Sequence, residues 1–370
     1  MLALIASAGA AEWRLQPSSQ LFALGESNPR LLPGVSKFTG SGGADVSLDL
    51  RRRSETLDIG GTVRADLRRY AEEKGLDRDE ARLDLTLQQT GERVSWQGSA
   101  SVAHDTTLTS ELGTTGLSQV NLRHEAVDLS LGPTWQVTER VSTGATLFWE
   151  ESRYPGTSRD DLVDYRYQTA SVNVAYGFTE KALVSLVASA GALDADRANI
   201  RTRSNSIVLQ ARYRWSPKWT LTAFAGPSWV RSKRSSESGT RYNVELTRQQ
   251  SERTVVSLLA SSSVAPTGRG YLSQRDDISV RLGRALGEHL DAAFSYSMIH
   301  SRDLVPILGY SFNDVRYARA EASISWRLAE RWSTVLGAGL SEQQYRAIGA
   351  SASNFDARLA IAWSGKPHVY

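Results

Sequence analysis

The chain has no cysteine, which excludes a disulfide scaffold, a thiolate metal site and a cysteine nucleophile, and suits a protein that crosses an oxidising compartment. It also lacks any run of about 18 consecutive apolar residues, so a helical membrane span is excluded. Histidine is scarce. His104, His124, His289, His300 and His368 are scattered, and none stands at metal-ligand spacing from another. Nor does one charge dominate: 43 basic and 40 acidic residues are interspersed, so the net charge of +3 leaves no nucleic-acid footprint. No motif calls for a metal or a cofactor, and the chain is expected not to be an enzyme. A lipid-modifying alternative would need Ser, His and a polar orienter brought together by the fold.

What the chain does have is a two-residue period. By composition, 41% hydrophobic residues in a length of 370 suit one large or two ordinary soluble domains. That reading is incomplete, because a membrane-crossing strand needs an apolar side chain only at every second position. Leu57, Ile59, Val63, Ala65 and Leu67 alternate with Asp58, Thr62, Arg64, Asp66 and Arg68. Ala81, Leu83, Leu85 and Leu87 alternate with Arg82, Asp84, Thr86 and Gln88 in the same way. The pattern continues through Ile207 to Trp215 and Ala318 to Leu328, and ends in a strand from Phe355 to Trp363.

Between these strands recurs a tight turn of a small or hydroxyl residue, Glu, and a basic residue. It stands at Gly91-Glu92-Arg93, Thr138-Glu139-Arg140, Thr179-Glu180-Lys181, Ser251-Glu252-Arg253, Gly287-Glu288-His289 and Ala329-Glu330-Arg331, with variants at Ser54-Glu55-Thr56 and Ser216-Pro217-Lys218. The proline variant fits the second position of a type I turn, where its fixed φ is already correct. Successive turns are 35 to 47 residues apart, an internal repeat. A period near 40 suits a propeller blade, a solenoid turn or a barrel hairpin. Each unit holds two strands, a tight turn and one longer connection rich in Ser, Gly, Asp and Arg, whereas a blade would need four strands.

Trp96, Trp135, Tyr176, Trp215, Trp219, Trp326 and Trp332 gather near the turns, as an interfacial aromatic belt would; a sandwich would bury the same rings in its core. Eight turns imply sixteen strands, and an opening strand near Ser18 to Leu24 with the closing strand makes eighteen, within a range of 14 to 18. The expected fold is all-β: a single transmembrane antiparallel up-and-down barrel over residues 12–363, with short periplasmic turns and longer extracellular loops, in the outer membrane of a Gram-negative bacterium. Residues 1–11 read as the end of an export signal and 364–370 as a short tail.

A barrel this wide has room for an aqueous lumen. The alternation assigns to its inner face Arg64, Asp66, Arg82, Asp84, Arg212, Arg214, Arg281, Arg319, Glu321, Arg327, Asp356 and Arg358, together with Asp49 and Asp58. Such a face forms a charged conduit in which Arg meets the carboxylate or phosphate groups of a solute. The same charges could instead pair across strands and hold the wall together. Asp160-Asp161 with Asp164, and Asp276-Asp277, read as solvated loop charge without regular cation-ligand spacing.

Short blocks also carry a family resemblance. Glu12-Trp13-Arg14-Leu15-Gln16-Pro17-Ser18, then Asn28-Pro29-Arg30, resemble a mature start; Thr109-Ser110-Glu111-Leu112 with Gly116 resembles a middle-loop block. Pro133-Thr134-Trp135 running into Thr138-Glu139-Arg140, then Tyr154, Asp164-Tyr165 and Tyr176 to Lys181, follow in order. With these the chain resembles the outer-membrane β-barrels associated with PEP-CTERM/exosortase systems and exopolysaccharide loci, a porin-like group. The resemblance implies a passive channel connected with surface-polymer export. Its expected partners are outer-membrane lipid and lipopolysaccharide, the barrel-assembly machinery and exopolysaccharide export components. A structural or anchoring barrel occluded by loops such as Asp105 to Gln119 is the alternative.

Overall fold

The alternating strands close on one another. The computed structural model describes residues 11–114, 121–156, 162–195, 200–233, 236–251, 254–304 and 314–370. The first half of the wall is β1 (Glu12–Glu26), β2 (Thr39–Arg53), β3 (Leu57–Tyr70), β4 (Arg78–Thr90), β5 (Val94–Thr106), β6 (Arg123–Gln136), β7 (Val141–Arg153), β8 (Tyr165–Thr179) and β9 (Ala182–Ala195). The second half is β10 (Ile200–Ser216), β11 (Trp219–Ser232), β12 (Ser236–Ser251), β13 (Thr254–Pro266), β14 (Leu272–Ala285), β15 (Leu290–Asp303), β16 (Val315–Ala329), β17 (Trp332–Tyr345) and β18 (Ala350–Ser364). Each strand pairs antiparallel with its sequence neighbours, and β1 pairs with both β2 and β18, so the eighteen form a closed up-and-down barrel.

The turn end of the barrel is built by the repeated tight turn, and in four of the turns a hydroxyl at its first position caps the bend. The Thr138 hydroxyl accepts from the Arg140 and Val141 amides at 3.3 and 3.0 Å. The Thr179 and Ser216 hydroxyls accept from the amides of Lys181 and Lys218, and Ser54 from that of Leu57. A hydroxyl side chain here takes up an amide that the hairpin ladder leaves unpaired. In the Ser251 turn, residues 252 and 253 lie outside the described residues.

The seam shows why the final residues are more than a tail. Pro17 has no N–H to continue the ladder to β18, and that pairing stops at Ser18 with Ser364. The chain then bends, the Gly365 amide donates to the Pro17 carbonyl at 2.8 Å, and a two-residue strand, β19 (His368–Val369), resumes pairing at Leu15 and Arg14. The segment 364–370, expected as a short tail, thus extends the sheet along β1. Residues 1–10 of the expected export signal lie outside the described residues.

The outer face is apolar. Leu129, Leu147, Val172, Leu186, Leu209, Ile324, Leu336 and Leu359 all project from it and remain 47–64% exposed. Trp96, Trp135, Tyr176, Trp215, Trp326 and Trp332 ring the turn end, 39–58% exposed, rather than filling a core. Trp215 stacks on Trp219 at 5.5 Å, with Arg248 over the second ring. Exposed apolar surface on this scale is stable when hydrocarbon, not water, surrounds the wall.

The opposite, loop end is folded inward. Residues 27–38 between β1 and β2 are held by Asn28, whose side chain bonds the Leu32 amide and the carbonyls of Leu32 and Val35. Leu31 adopts a φ of 49° with its side chain only 2% exposed. A non-glycine residue in this region costs about 1–3 kcal/mol, comparable to the roughly 1.5–3 kcal/mol that burying a Leu returns. After β5 comes the one α-helix among the described residues, α1 (Thr107–Thr114).

Candidate functional site

The twelve charges expected on the inner face stand on the face of their strands opposite exposed apolar residues. Arg64 and Asp66 alternate with Val63 and Leu67, Arg82 and Asp84 with Leu85, and Arg212 and Arg214 with Leu209 and Tyr213. Arg281 stands between Ile278 and Leu282, Arg319, Glu321 and Arg327 share a face opposite Ile324 and Trp326, and Asp356 and Arg358 alternate with Phe355 and Leu359.

Eleven of the twelve divide into two chemical groups, and the twelfth, Asp66, lines the turn-end cavity beside Arg64. Arg319 on β16 reaches across β17 to Asp356 on β18, with two bonds of 2.8 and 3.2 Å, and lies 3.4 Å from Glu321. The space for that bridge is made by Gly339: a Cβ there would stand 2.6 Å from Asp356 Oδ1 and 2.8 Å from Arg319 Nη2. Arg358 is 2.7 Å from Asp45 and lies over the Phe22 ring at 4.2 Å, while Arg82 pairs with Asp84 at 2.9 Å. By contrast, Arg64, Arg212, Arg214, Arg281 and Arg327 form no ion pair among the described residues.

Two of these unpaired groups, Arg64 and Arg327, line one cavity of about 610 Å³ toward the turn end, with Arg331 and the acids Asp45, Asp66 and Glu330. A second cavity of about 630 Å³ lies beside it, lined by Arg14, Asp49, Thr62, Asp84, Gln88 and Gln97. Its charges are partly matched. Arg51 bonds Asp58 at 2.6 Å, and Asp49 accepts from Thr62 at 2.6 Å.

Toward the loop end the lumen fills. One buried cluster joins Leu31, Tyr70, Leu76 and Leu108 to Ile299, Tyr317 and Ala352, so that the inner loops and α1 meet the wall at β15, β16 and β18. Another gathers Tyr154, Val163, Tyr165, Tyr167, Leu193, Val230 and Leu272 on the far side. Helix α1 connects the two: Leu108 lies in the first, and Glu111 accepts from the Tyr154 hydroxyl at 2.6 Å at the edge of the second. Burial, reinforced by the Glu111 carboxylate, pushes the Tyr154 phenol well above its usual range, so it remains the proton donor. The α1 segment is a crossbar.

Its foot is clamped by three strands. His124 on β6 is 2.7 Å from Asp105 on β5 and 2.7 Å from Ser152 on β7, and its ring lies 5.0 Å from that of Tyr154. The order carboxylate, imidazole, hydroxyl is that of a hydrolytic triad. Here, however, Ser152 is 1% exposed and its strand is laddered on both sides, to β6 and β8. Buried in this way, the trio ties the two roots of the α1 segment to the wall.

Sequence reasoning missed Asp45, the carboxylate partner of Arg358, because the glycines at 40, 42 and 43 obscure the alternation at the start of β2. It also missed the grouping of Asp105, His124 and Ser152, which lie on three strands. The pieces Asp276-Asp277, read as loop, lie in β14, where Asp277 pairs with Arg275 at 2.8 Å. Asp164 is a loop acid that accepts from the Tyr154 amide, while Asp160-Asp161 lie outside the described residues. Among the described residues no cluster of metal-ligating side chains occurs.

No family model matches the chain, and no curated protein matches it. Among solved structures, OccK2 (OpdF) of Pseudomonas aeruginosa in complex with glucuronate is 10% identical, with 95% of this chain and 97% of that one covered and a TM-score of 0.47. OccAB4 of Acinetobacter baumannii is 10% identical over 97% and 98%, at 0.46. The ferric enterobactin receptor PfeA of Pseudomonas aeruginosa is 8% identical over 94% and 80%, at 0.45. The class of this protein is defined by its own strand order: a closed antiparallel barrel of eighteen strands.

Proposed function

We propose that the chain is an outer-membrane barrel of a Gram-negative bacterium acting as a passive, porin-like channel for anionic solutes, with exopolysaccharide or a similar surface polymer as cargo. The observation that supports this is one closed wall with an apolar outside and a charged inside. Both faces are stable together where hydrocarbon lies outside and water inside. In this reading Arg64 and Arg327, which form no ion pair among the described residues, meet a passing carboxylate or phosphate in a cavity they share with Arg331, Asp45, Asp66 and Glu330. The turn end is periplasmic in this reading, the loop end extracellular. The surface-polymer connection and the assembly-machinery partner are supported by the sequence resemblance.

Conductance in planar bilayers and swelling of liposomes test the channel, with heat-modifiable gel mobility certifying that the barrel is folded. Anion-selective conductance is expected, weakened in the double variant Arg64→Ser with Arg327→Ser. No conductance from folded protein removes the channel reading.

A second reading is favoured by the α1 crossbar, which joins two packed clusters across the extracellular end. In that reading the barrel does not conduct and serves as an anchor or assembly partner for surface polymer. It predicts that the folded wild type is silent and that only removal of α1 opens it.

A further inference from the structure

The outer wall is not uniform at its extracellular rim. On β6 to β11 the alternation places Arg123, Arg153, Arg166, Arg201, Arg203 and Arg231 on the outer face, just beyond the apolar band. Three acids stand among them. Glu151 serves both Arg153 and Arg166, at 2.6 and 3.4 Å, Asp194 serves Arg201 at 2.7 Å, and Glu125 stands 3.9 Å from Arg123. Arg203 and Arg231 have no acidic partner among the described residues. On the other side of the barrel, Arg69 and Arg316 share the rim with Asp79, Asp276 and Glu342, so charge there is balanced.

Directly below the arginines the wall is hollowed. A groove of about 940 Å³ runs over β6 to β10, walled by Leu129, Leu147 and Trp149, with Ala170 and Ala190 on its floor and Arg203 at its polar end. An apolar trough that ends under clustered guanidinium groups matches an amphiphile with acyl chains and an anionic head.

We infer that this face binds a phosphorylated, acylated lipid of the outer leaflet, its chains in the groove and its phosphates on Arg166 and Arg203. The inference rests on the membrane reading above. Phosphate suits the site because guanidinium donates two parallel hydrogen bonds to it, and because the local excess of arginine over acid leaves donors unspent. The occupant would also cover the part of the wall where small side chains leave the band thinnest.

The test uses the full-length folded barrel in detergent, stripped of lipid, with bis-phosphorylated lipid A as probe and phosphatidylethanolamine as the zwitterionic comparison, read by native mass spectrometry. Wild type is expected to retain lipid A in preference to phosphatidylethanolamine. Arg166→Ser with Arg203→Ser should weaken retention by about tenfold or more, the loss expected when charge-assisted hydrogen bonds are removed. Ala190→Leu, which fills the groove, should weaken it as well, while Arg69→Ser with Arg316→Ser on the opposite wall should not. Equal retention by all variants, or equal retention of the two lipids, overturns the inference. Heat-modifiable mobility is recorded for each sample: loss in the wild type refutes the membrane reading itself, and loss in one variant shifts the test to Arg203→Gln alone.

Discussion

The two ends of the lumen are written in the same alternating code and do opposite things. Toward the turn end the inner face leaves two cavities of about 610 and 630 Å³, and Arg64 and Arg327 project into the first without acidic partners. Toward the loop end the same face is packed by two apolar clusters and α1, and Glu111, His124 and Asp356 each have a fixed partner. Alternation decides only which side of the wall a residue faces. What makes one stretch a vestibule and another a plug is whether a loop returns to cover it. A charge left in water costs little unpaired, whereas a covered one must be matched.

The comparison breaks most visibly at α1. In the channel reading, replacing Thr107–Thr114 with a short Gly-Ser linker should raise single-channel conductance, on the order of tenfold, by removing the helix that joins the two packed clusters. If conductance is unchanged, the loop end is not the constriction and the two ends differ in packing alone.

The next largest effect is expected at Gly339. Its alanine variant would push a Cβ into the Arg319–Asp356 bridge, where Asp356 is 6% exposed. Both charges remain, so the cost is that of crowding the bridge, about 1–3 kcal/mol, and the midpoint of the heat-induced mobility shift should fall accordingly. Gly337, two residues away on the same strand, is the control. Its nearest neighbours to an added Cβ are at 3.7 and 3.9 Å, so Gly337→Ala should change the midpoint little.

His124→Ala sharpens the comparison at the foot of the crossbar. It leaves the Asp105 carboxylate and the Ser152 hydroxyl without the ring nitrogens 2.7 Å away, a loss of about 1–3 kcal/mol for each group left unsatisfied. The expected readout is local: protease cleavage in the α1 segment at a concentration that spares the wild type, with the heat shift of the barrel retained. Global loss of the heat shift would show that the clamp belongs to the wall.

The wall was legible in the sequence because its determinants are local. A period of two names the face, and a hydroxyl such as Thr138 or Ser216 beside a Glu or Pro names the turn, so the strand number followed from counting. The plug was not legible. Leu31 meets Ile299, Arg319 meets Asp356 over an intervening strand, and Asp105, His124 and Ser152 converge from three strands. No short-range pattern encodes such pairs. The closing segment 364–370 escaped for a related reason: its role depends on Pro17, at the other end of the chain.

The smallest effect on stability is expected where the site matters most for passage. Arg64 and Arg327 make no ion pair among the described residues and line an open cavity, so changing both to Ser should alter stability by no more than about 0.5 kcal/mol. Removing them should still shift the preference away from anions, measured as the reversal potential in a salt gradient, because it leaves Asp45, Asp66 and Glu330 on the same cavity with two fewer guanidinium groups. Arg358→Ser should do the reverse. It deprives Asp45 of its partner and Phe22 of the cation over its ring, so it should lower the heat-shift midpoint with less change in selectivity. If both variants changed stability and selectivity in parallel, paired and unpaired arginines would be doing one job, and the division of the lumen into vestibule and plug would fail.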